Sequence, residues 1–457
     1  MISSPDSQKI FITVSEGSIA RNILRSFVLE RLLERPGSEI FLLVPEDKRE
    51  AYQKEFGSAR VSILPWRGVI VWRFFEKVLS YFARNGLKTE TILTDQRTYS
   101  SGLSFWLKRS LTNTLGRSAF FHRLIRWLDR FRPASGTMSV FFEEHHPELL
   151  FATDVQDELD LDAMAAARTT NTPVVGMIRS WDNPTSSAGL VRVIPDTLLV
   201  WNPYIKRQMM KFQDISQEKI VVTGIPHFDW YGKEEMYCSR EEFARQFGLD
   251  PAKKILLFAG IGTFLNPHES ETVELVSEAL KSGKLPDDVQ ILFRPHPNFL
   301  IEKERIDALG NVIFDNTVAT YTGSERTSWE MDRNKIAHLV NSLRHADVVV
   351  TTASTMTIDA VAFDKPVVCV AFDGKSEEPY FKSVRRFYHD YTHYIEISKT
   401  KGFKIATSKE DLVHYINEYV RYPEHDADGR IRLREEFIGN PDGKSSERLA
   451  DVLMDYP

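Results

Sequence analysis

Five hydroxyl residues stand between two apolar segments in the sequence VVVTTASTMTIDAVAFDKPVV, which runs from Val348 to Val368. The apolar segments predict buried parallel strands, and the residues between them predict a turn that leads into a helix. Because ligands bind at the carboxyl ends of such strands and helix N-termini favour anions, the hydroxyls of Thr352, Ser354 and Thr355 can hold a phosphate. Asp359 follows one helical turn later, where it can accept hydrogen bonds from a ribose. An N-cap and an ordinary helical Asp explain the same residues without a ligand.

His296 lies between two prolines in the sequence FRPHPN, which closes another predicted strand. The prolines stiffen the turn and hold the imidazole outward. With Arg294 beside it, His296 can contact a phosphate and stabilise a phosphate leaving group. A loop histidine whose hydrogen bonds are satisfied is the alternative.

The segment FAGIGT ends a third predicted strand. Gly260 and Gly262 would let a phosphate or a base approach the backbone next to Thr263. The segment is not a dinucleotide-binding fingerprint, because no third glycine follows at the required spacing, and no Gly-Lys-Ser/Thr follows to make a P-loop. These turns together predict a donor-binding site in the second half of the chain.

The first half of the chain has polar strand ends of its own. Glu16 follows the leading strand, where a carboxylate can act as general base toward an acceptor hydroxyl. Asp182, in a polar loop after a later strand, is the second choice for this base, and a first-turn Glu that favours the helix dipole is the alternative for Glu16. The residues expected to bind the acceptor or to form a hinge are Ser15, Gly17, Trp181, Asn183, His227 and Asp229.

The sequence predicts no metal site. The acids of DELDLDA, Asp157 to Ala163, lie inside a helical pattern and are interpreted as solvated helix charges. The pair His145 and His146 has no further residue nearby at metal-ligand spacing. The sequence also lacks the Gly-x-Ser-x-Gly signature of a nucleophile.

Composition excludes several classes. A net charge of −6 gives no support to nucleic-acid binding, and two distant cysteines suit a reducing compartment without disulfides. The N-terminus lacks the pattern of a signal peptide, and no segment has the roughly 18 apolar residues that a membrane span needs. A cytoplasmic protein is expected.

A basic aromatic segment between Ser101 and Pro133 contains seven Lys or Arg residues and one acid. Interleaved aromatic residues predict amphipathic helices suited to an anionic lipid surface at the inner face of a membrane. The alternative is a helix hairpin that packs its aromatics on the core and solvates its arginines. The expected membrane patch is Trp106, Lys108, Arg109, Arg117, Arg123, Arg126 and Arg130.

The predicted elements alternate between strands and helices, which indicates an α/β protein with two successive doubly wound halves. We predict an N-terminal acceptor domain at residues 1–235 with a helical insertion at about 69–133, a donor domain at 236–440, and a helix at 441–457 that packs back on the N-terminal domain. Within the first domain, SVFFEE (Ser139 to Glu144) is predicted as a strand. The segment from Ser18 to Glu34 is predicted as one helix with Ser18 as its N-cap.

Four segments resemble the GT-B superfamily of nucleotide-sugar transferases. TASTMTIDAVAFDKPVV resembles the donor motif of that superfamily, and RPHP (Arg294 to Pro297) is similar to the His-Pro element of its CDP-glycerol glycerophosphotransferase group and of bacterial GT-B sialyltransferases. VVTGIPHFDWY (Val221 to Tyr231) resembles the Thr-Gly-x-Pro-x-x-Asp stretch of the same group, and DGKSSERLAD (Asp442 to Asp451) its closing helix.

The resemblance implies two facing Rossmann-like domains with a cleft between them and metal-independent catalysis without a cofactor. It also implies that His296, Ser354 and Thr355 contact the donor phosphates and that Asp359 contacts the ribose. The base varies across the superfamily, so Glu16 remains a hypothesis from its position.

We therefore hypothesise a glycosyltransferase that moves a sugar from a UDP-, CDP- or CMP-linked donor to a surface-glycan or lipid-linked acceptor. The alternatives are a CDP-polyol phosphotransferase and a sugar-nucleotide 2-epimerase of the UDP-N-acetylglucosamine type, although the His-Arg-Arg-Glu-Asn stretch of those epimerases is absent. A non-catalytic binding protein is a third possibility.

Overall fold

The computed structural model describes residues 8–68, 73–297, 302–318, 320–321, 329–439 and 441–456. These residues form two compact units. The first unit runs to Asp229 and takes in the terminal residues from Lys444 onward, and the second runs from Trp230 to Gly443. The start of the predicted insertion (residues 69–72) and the last residue of the FRPHPN segment lie outside the described residues.

The first unit is built on a seven-stranded parallel sheet with the strand order β3-β2-β1-β4-β5-β6-β7. The strands are β1 (Lys9–Thr13), β2 (Glu39–Pro45), β3 (Val61–Trp66), β4 (Leu149–Ala152), β5 (Val174–Met177), β6 (Thr197–Val200) and β7 (Ile220–Val222). The strand order reverses between β1 and β4, which is the position where such sheets bind ligands. Nearly all residues of β1, β4 and β5 are buried, which explains their continuous apolar sequence.

Helices connect these strands and form the insertion after β3. The α-helices of this unit are Gly17–Ile19, Val28–Glu34, Arg49–Phe56, Arg73–Asn85, Glu90–Tyr99, Gly102–Leu115, Ala119–Asp129, Gly136–His145, Glu158–Thr170, Pro203–Gln213 and Ser445–Met454. The predicted helix from Ser18 to Glu34 is broken, because Ala20–Leu24 forms a π-helical turn between two α-helical segments. The N-cap position of its first turn is Glu16, not Ser18.

The prediction of a strand at Ser139–Glu144 is wrong, because these residues belong to the helix Gly136–His145. The hydroxyl of Ser135 caps this helix by accepting a hydrogen bond from the backbone N–H three residues later. Buried Phe142 packs edge-on against Phe11 of β1, with ring centroids 4.9 Å apart. The apolar side chains of the segment therefore follow a helical stripe, and the strand that sequence reasoning missed, β4, begins after it.

The insertion has a small core of its own. Leu79 and Ala83 of the helix Arg73–Asn85 pack with Phe121 and Ile125 of the helix Ala119–Asp129. The insertion is tied to the rest of the unit by buried ion pairs. Arg192 contacts Glu76 at 2.8 Å and Asp129 at 3.3 Å, and Arg132 pairs with the same two acids.

The second unit contains a six-stranded parallel sheet with the order β10-β9-β8-β11-β12-β13. Its strands are β8 (Lys254–Ala259), β9 (Val289–Arg294), β10 (Val312–Phe314), β11 (Val348–Thr351), β12 (Val367–Val370) and β13 (Lys404–Ala406). Its α-helices are Arg240–Phe247, Glu269–Lys281, Lys303–Asp307, Arg333–His345, Met356–Ala362, Arg385–His389, Thr392–Ser398, Lys409–Arg421 and Ala427–Leu433. A separate antiparallel pair joins Thr320–Tyr321 to Trp329–Glu330.

The terminal helix Ser445–Met454 packs on the first unit against the helix Val28–Glu34. Asp229 holds its start, because its carboxylate accepts hydrogen bonds from the backbone N–H groups of Ser445 at 3.0 Å and Ser446 at 2.7 Å. The chain thus re-enters the first unit next to Asp229, the last residue before the second unit.

Candidate functional site

Three of the predicted turns lie side by side at the carboxyl edge of the second sheet. Ala259, the last residue of β8, is level with Arg294 of β9 on one side and with Thr351 of β11 on the other. The glycine turn, the His296 turn and the hydroxyl turn therefore leave adjacent strands at the same level. This is the edge at which α/β sheets bind nucleotides.

Part of the hydroxyl turn is already hydrogen-bonded to another side chain of the protein. Tyr394 accepts a hydrogen bond from the backbone N–H of Ser354 at 2.6 Å and donates one to the carbonyl oxygen of the same residue at 2.8 Å. The helix that follows, Met356–Ala362, has only seven residues. Thr352 accepts a 3.4 Å hydrogen bond from a side-chain amide, whereas Thr355 is exposed. The predicted anion site therefore has fewer unpaired donors than the sequence indicates. Thr355 is its most accessible hydroxyl.

The glycine turn is held by Glu269, which sequence reasoning missed. Its buried carboxylate accepts hydrogen bonds from the backbone N–H groups of Ile261 at 2.6 Å and Gly262 at 3.0 Å. A Cβ atom at Gly260 would lie 2.7 Å from the Glu269 carboxylate, so a larger residue there would displace this carboxylate from its present position. Burial raises the pKa of Glu269 to about 7, against the effect of the two N–H donors. Two of the amides expected for a phosphate are therefore already paired.

The glycine turn is also joined to the hydroxyl turn. Asn266 donates from its side-chain amide to Thr352 Oγ1, and Leu265 and Asn266 both donate backbone N–H groups to the carbonyl oxygen of Gly262. Gly262 has a φ of +81°, a conformation that favours glycine. Thr263 follows this bend. The two turns therefore form one connected edge.

Arg294 is buried at the end of β9 and is held there by Asp315. Its guanidinium donates to the Asp315 carboxylate at 2.9 Å, and His338 contacts the same oxygen at 2.7 Å. Burial alone would raise the pKa of Asp315, but the hydrogen bond from His338 and the charge of Arg294 outweigh it and hold the pKa well below its usual range. Arg294 is therefore a fixed positive charge beneath the edge, and His296, two residues further on, is partly buried in the turn itself.

Asp359 already has a partner in this unit. Tyr231, in the segment that follows Asp229, donates its hydroxyl proton to Asp359 Oδ1 at 2.6 Å, and both residues are buried. The charge of Arg294 acts on both side chains. Asp359, the carboxylate predicted to contact the ribose, therefore lies close to Arg294, where the His296 turn begins.

In the first unit, Glu16 forms an ion pair with an arginine that sequence reasoning missed. Arg179, just after β5, contacts Glu16 at 3.1 Å and Asp154 at 3.5 Å. The strands that precede these residues, β1, β5 and β4, are neighbours in the sheet. Burial alone would lower the pKa of Arg179, but Asp154 and Glu16 together raise it above the ordinary value. Position at a strand end, the signal used for Glu16, also marks Arg179.

The interpretation of the DELDLDA acids as solvated charges fits Glu158, which is exposed, but is wrong for Asp160 and Asp162, which are buried. Asp157 caps the helix Glu158–Thr170, and Asp160 is fully buried, accepting hydrogen bonds from the Thr13 hydroxyl at 2.6 Å and the Asp154 N–H at 2.9 Å. Burial and the neighbouring acids raise the pKa of Asp157 to about 7 and that of Asp160 well above its usual range. The helix starts directly after β4, so its first turn is enclosed by the sheet edge.

The remaining predicted acceptor residues differ in access. Trp181 and Asn183 are buried, and Asn183 donates to a neighbouring glutamine at 3.4 Å, whereas Asp182 and Ser15 are partly exposed. Gly17 is buried in the first helical turn. His227 is buried against Trp201 and Phe228, and burial together with the charge of Arg21 lowers its pKa well below the ordinary value. Asp229 has the structural role described above, since both its oxygens hold the terminal helix.

Many apolar side chains of the basic aromatic segment are exposed, but only some of its Lys and Arg side chains are. Nine of the fifteen large apolar side chains that are exposed in the described residues lie between Phe74 and Phe131. Two exposed stripes occur at helical spacing. The first stripe is Leu103, Trp106 and Leu107, and the second is Phe120, Leu124, Trp127 and Phe131.

Three of the predicted patch cations are hydrogen-bonded within the protein. Arg126 donates to the backbone carbonyls of Val191 at 3.0 Å and Gln213 at 2.5 Å, and burial lowers its pKa to about 10. Arg109 donates to a backbone carbonyl at 3.0 Å and Lys108 to Ser100 at 2.8 Å. These three side chains hold the insertion together. The exposed cations of the predicted patch are Arg117, Arg123 and Arg130.

Two further features are absent from the described part of the chain. Among residues 8–68, 73–297, 302–318, 320–321, 329–439 and 441–456, no group of three or more His, Cys, Asp or Glu side chains is arranged to hold a metal ion. Over the same ranges, no helix is both long enough and apolar enough to cross a bilayer.

Each unit has the strand order of a Rossmann-like domain, and the chain has the GT-B fold. A UDP-GlcNAc 2-epimerase from Neisseria meningitidis bound to UDP-GlcNAc covers 98% of this chain and 100% of its own, at 12% identity and a TM-score of 0.55. Staphylococcus aureus MnaA with UDP covers 98% and 96%, at 14% identity and 0.53. A glycosyltransferase from Rickettsia africae covers 99% and 100%, at 12% identity and 0.52. No curated protein matches the sequence.

The CDP-Glycerol:Poly(glycerophosphate) glycerophosphotransferase family matches residues 159–455, which is more than half of the chain and includes the whole second unit. The protein belongs to this family. Family and fold together define a transferase that acts on nucleotide-activated sugars or polyols.

Proposed function

We propose that the protein transfers a polyol-phosphate group of the glycerol phosphate type from a CDP-linked donor to an acceptor hydroxyl. The family match carries this proposal, because its description names both the CDP-activated donor and the glycerophosphoryl group. The matched residues include the edge formed by the glycine, His296 and hydroxyl turns. The sugar transfer that the sequence hypothesis put first uses the same fold and is the competing reaction.

The two reactions differ in the bond that breaks. In polyol-phosphate transfer, the acceptor oxygen attacks the β-phosphorus of the donor, the bond between that phosphorus and the bridging oxygen breaks, and CMP leaves with the bridging oxygen. In sugar transfer, the bond between the anomeric carbon and oxygen breaks, and a nucleoside diphosphate leaves from a UDP- or CDP-linked sugar, or CMP from a CMP-linked sugar. Both need a base for the acceptor proton and stabilisation of the charge on the departing phosphate.

We assign these tasks to residues of the separate units. Glu16 takes the acceptor proton, with Asp182 as the second choice, and Arg179 holds the Glu16 carboxylate by its 3.1 Å contact. His296, Ser354 and Thr355 contact the donor phosphates, and Asp359 contacts the ribose. The fixed charge of Arg294, held by Asp315 at 2.9 Å, adds positive potential beneath the edge.

The leaving nucleotide tests the proposal. Purified full-length protein is incubated with CDP-glycerol or with UDP-GlcNAc, each with and without an oligomeric glycerol phosphate acceptor, and the nucleotides are identified by mass spectrometry. We expect CMP release and acceptor lengthening from CDP-glycerol. Acceptor-dependent release of UDP from UDP-GlcNAc, with CDP-glycerol inert, would establish sugar transfer instead.

We further propose that the reaction needs no metal ion. The resemblance of the sequence to the GT-B superfamily supports this proposal, because it implies metal-independent catalysis. The charge on the departing phosphate is then met by protein groups alone.

The acceptor is proposed to lie at an anionic membrane surface. The two exposed stripes place aromatic and leucine side chains in solvent on the helices Gly102–Leu115 and Ala119–Asp129. Arg117, Arg123 and Arg130 are exposed beside them. Aromatic and leucine side chains together with cations are the composition of helices that lie in a lipid interface.

A further inference from the structure

The loop that follows Arg179 in the first unit lies next to the candidate base. Residues 180–192, called the acceptor loop below, continue the chain after Arg179, which contacts Glu16 at 3.1 Å. The negative charge of Asp182, in this loop, acts on both Arg179 and Asp154. The conformation of the acceptor loop therefore affects the charges that surround Glu16.

The helical insertion packs directly on the acceptor loop. The backbone N–H of Leu190 donates to the carbonyl oxygen of Ala83 at 3.0 Å, and the Thr89 hydroxyl donates to the carbonyl oxygen of Thr185 at 2.7 Å. A Cβ atom at Gly189 would lie 2.6 Å from the same Ala83 oxygen, and the φ of Gly189 is +80°, which favours glycine. Backbone thus meets backbone at this contact, and a side chain at this position would separate the loop from the insertion.

Two side chains hold the acceptor loop from opposite sides. Gln213, which is fully buried, accepts from the Val191 N–H at 2.9 Å and donates to the carbonyl oxygens of Pro184 at 3.0 Å and Gly189 at 3.1 Å. Arg126, on the insertion, donates to the carbonyl oxygens of Val191 at 3.0 Å and of Gln213 itself. Both the early and the late part of the loop are therefore fixed at one point, and Arg126 connects that point to the insertion.

An arginine suits this connection better than a lysine does. Two different nitrogens of the Arg126 guanidinium, Nε and one Nη, donate to carbonyl oxygens of two separate segments. Hydrogen bonds from a charged donor are stronger than those between neutral groups, and the planar guanidinium holds its donors in a fixed fork. An ammonium group is a single point on a flexible stem, so it cannot hold both carbonyls in the same geometry.

We propose that Arg126 is a positioning residue for acceptor activation: together with Gln213 it fixes the acceptor loop, and through the loop it sets the surroundings of Glu16. This inference rests on the proposed function, because it takes the first unit to supply the base for the acceptor proton. The helix Ala119–Asp129 then has two roles, since its exposed stripe is proposed to meet lipid while Arg126 holds the loop. Arg126 should act on the chemical step and not on donor affinity.

Arg126→Lys tests this split between chemistry and binding. Purified full-length protein is assayed without vesicles for CMP release from CDP-glycerol with an oligomeric glycerol phosphate acceptor. Because a displaced base loses its alignment with the acceptor oxygen, kcat should fall by about ten- to hundredfold. The affinity for CDP, measured by isothermal titration calorimetry, should stay within about twofold of the wild type, since the residues proposed to contact the donor all belong to the second unit.

Arg109→Lys is the matched control. Arg109 is also a partly buried arginine of the insertion, and it also donates to a backbone carbonyl, that of Leu93 at 3.0 Å, but Leu93 lies within the insertion. This variant loses a comparable bond without touching the acceptor loop and should keep the wild-type kcat. An equal fall of kcat in both variants would assign the effect to the insertion as a whole and overturn the proposal.

A double variant distinguishes positioning of the base from a general structural effect. If Arg126 acts through Glu16, adding Arg126→Lys to Glu16→Gln should lower kcat by less than about threefold further. The same comparison is made with Asp182→Asn if that variant, and not Glu16→Gln, removes the base. The full loss in both backgrounds would show that Arg126 acts independently of the base.

Gln213→Met provides a second route to the same loop if Arg126→Lys does not fold. It keeps a side chain of similar length but removes both donors and the acceptor that Gln213 presents to the loop. Folding of each variant is checked by thermal unfolding, and the same fall in kcat with unchanged CDP affinity is expected.

A folded Arg126→Lys or Gln213→Met protein with the wild-type kcat overturns the inference, while CMP release by the wild-type protein still upholds the proposed function. Absence of CMP release by the wild-type protein overturns both.

Discussion

Removing two aromatic side chains from the exposed stripe of the helix Ala119–Asp129 should detach the protein from anionic membranes. Phe120 is 76% exposed and Trp127 is 51% exposed, so neither contributes much to the core. We therefore expect Phe120→Ser combined with Trp127→Ser to fold normally. The stripe also includes Leu124 on the same helix and Phe131, two residues past the end of that helix.

The magnitude follows from the exposed area. An aromatic side chain offers about 200 Å², and transfer from water contributes about 25 cal/mol per Å², so the exposed parts of the two side chains correspond to about 6 kcal/mol if fully buried. Insertion of half of that area leaves about 3 kcal/mol, which is roughly a hundredfold in the partition coefficient. The cations Arg117, Arg123 and Arg130 add about 1 kcal/mol each near an anionic surface.

Vesicle sedimentation at low and at physiological salt measures both contributions. Wild-type protein should pellet with vesicles that contain phosphatidylglycerol, less so at higher salt because the charges are screened, and weakly with phosphatidylcholine alone. The double variant should remain in the supernatant. Tyr422→Ser is the matched control, because Tyr422 is 51% exposed, belongs to the second unit and is part of neither stripe.

Two outcomes would refute this reasoning. The first is a double variant that pellets like the wild type. The second is an equal loss in the Tyr422→Ser control, which would mean that any exposed aromatic contributes. Arg126→Ser is unsuited to this assay, because Arg126 bonds to backbone carbonyls inside the unit and its loss should lower the unfolding temperature instead.

Three other outcomes follow from the site. Glu16→Gln should lower kcat by about 10²- to 10⁴-fold while calorimetry shows unchanged CDP affinity; unchanged turnover would remove Glu16 as the base. EDTA should leave CMP release intact. If EDTA abolished CMP release and added Mg²⁺ restored it, metal independence would be contradicted. Burial raises the pKa of Glu269 from 4.5 to about 7, so between these pH values the folded protein holds a proton that the unfolded chain has released. Its contribution to the free energy of unfolding therefore falls with rising pH, by on the order of 3 kcal/mol, and Glu269→Gln should flatten that slope in thermal unfolding at pH 5 and pH 8; parallel curves would contradict it.

The sequence was sufficient to predict the fold because the strands are continuous apolar runs and the strand ends carry polar turns. The family and fold comparisons confirm the α/β class and the GT-B architecture. The strand predicted at Ser139–Glu144 failed because a short apolar run has no unique period. The helix there is decided by a cap at Ser135 and by burial of Phe142, which depend on tertiary packing.

The partners of the site residues could not be predicted, because they come from distant parts of the chain. Arg179 reaches Glu16 across neighbouring strands, and Tyr231 reaches Asp359 from the start of the unit. Periodicity likewise cannot distinguish a solvated acid from one enclosed at a sheet edge, so Asp160 looks like a surface residue in the sequence. Such contacts follow from strand order, which one sequence determines only in outline.

The paired amides at the edge bear on how a donor phosphate can be recognised. Glu269 accepts from the N–H groups of Ile261 and Gly262, and Tyr394 accepts from that of Ser354. A phosphate that took these amides would leave a buried carboxylate or hydroxyl without its donor, at about 1–3 kcal/mol for each lost partner. Side chains on the outside of the edge, of which Thr355 is exposed, need no such exchange. It therefore costs less free energy to bind the donor phosphate through side chains that project from the turns than through these amides. Glu269 and Tyr394 then fix the shape of the turns without touching the donor.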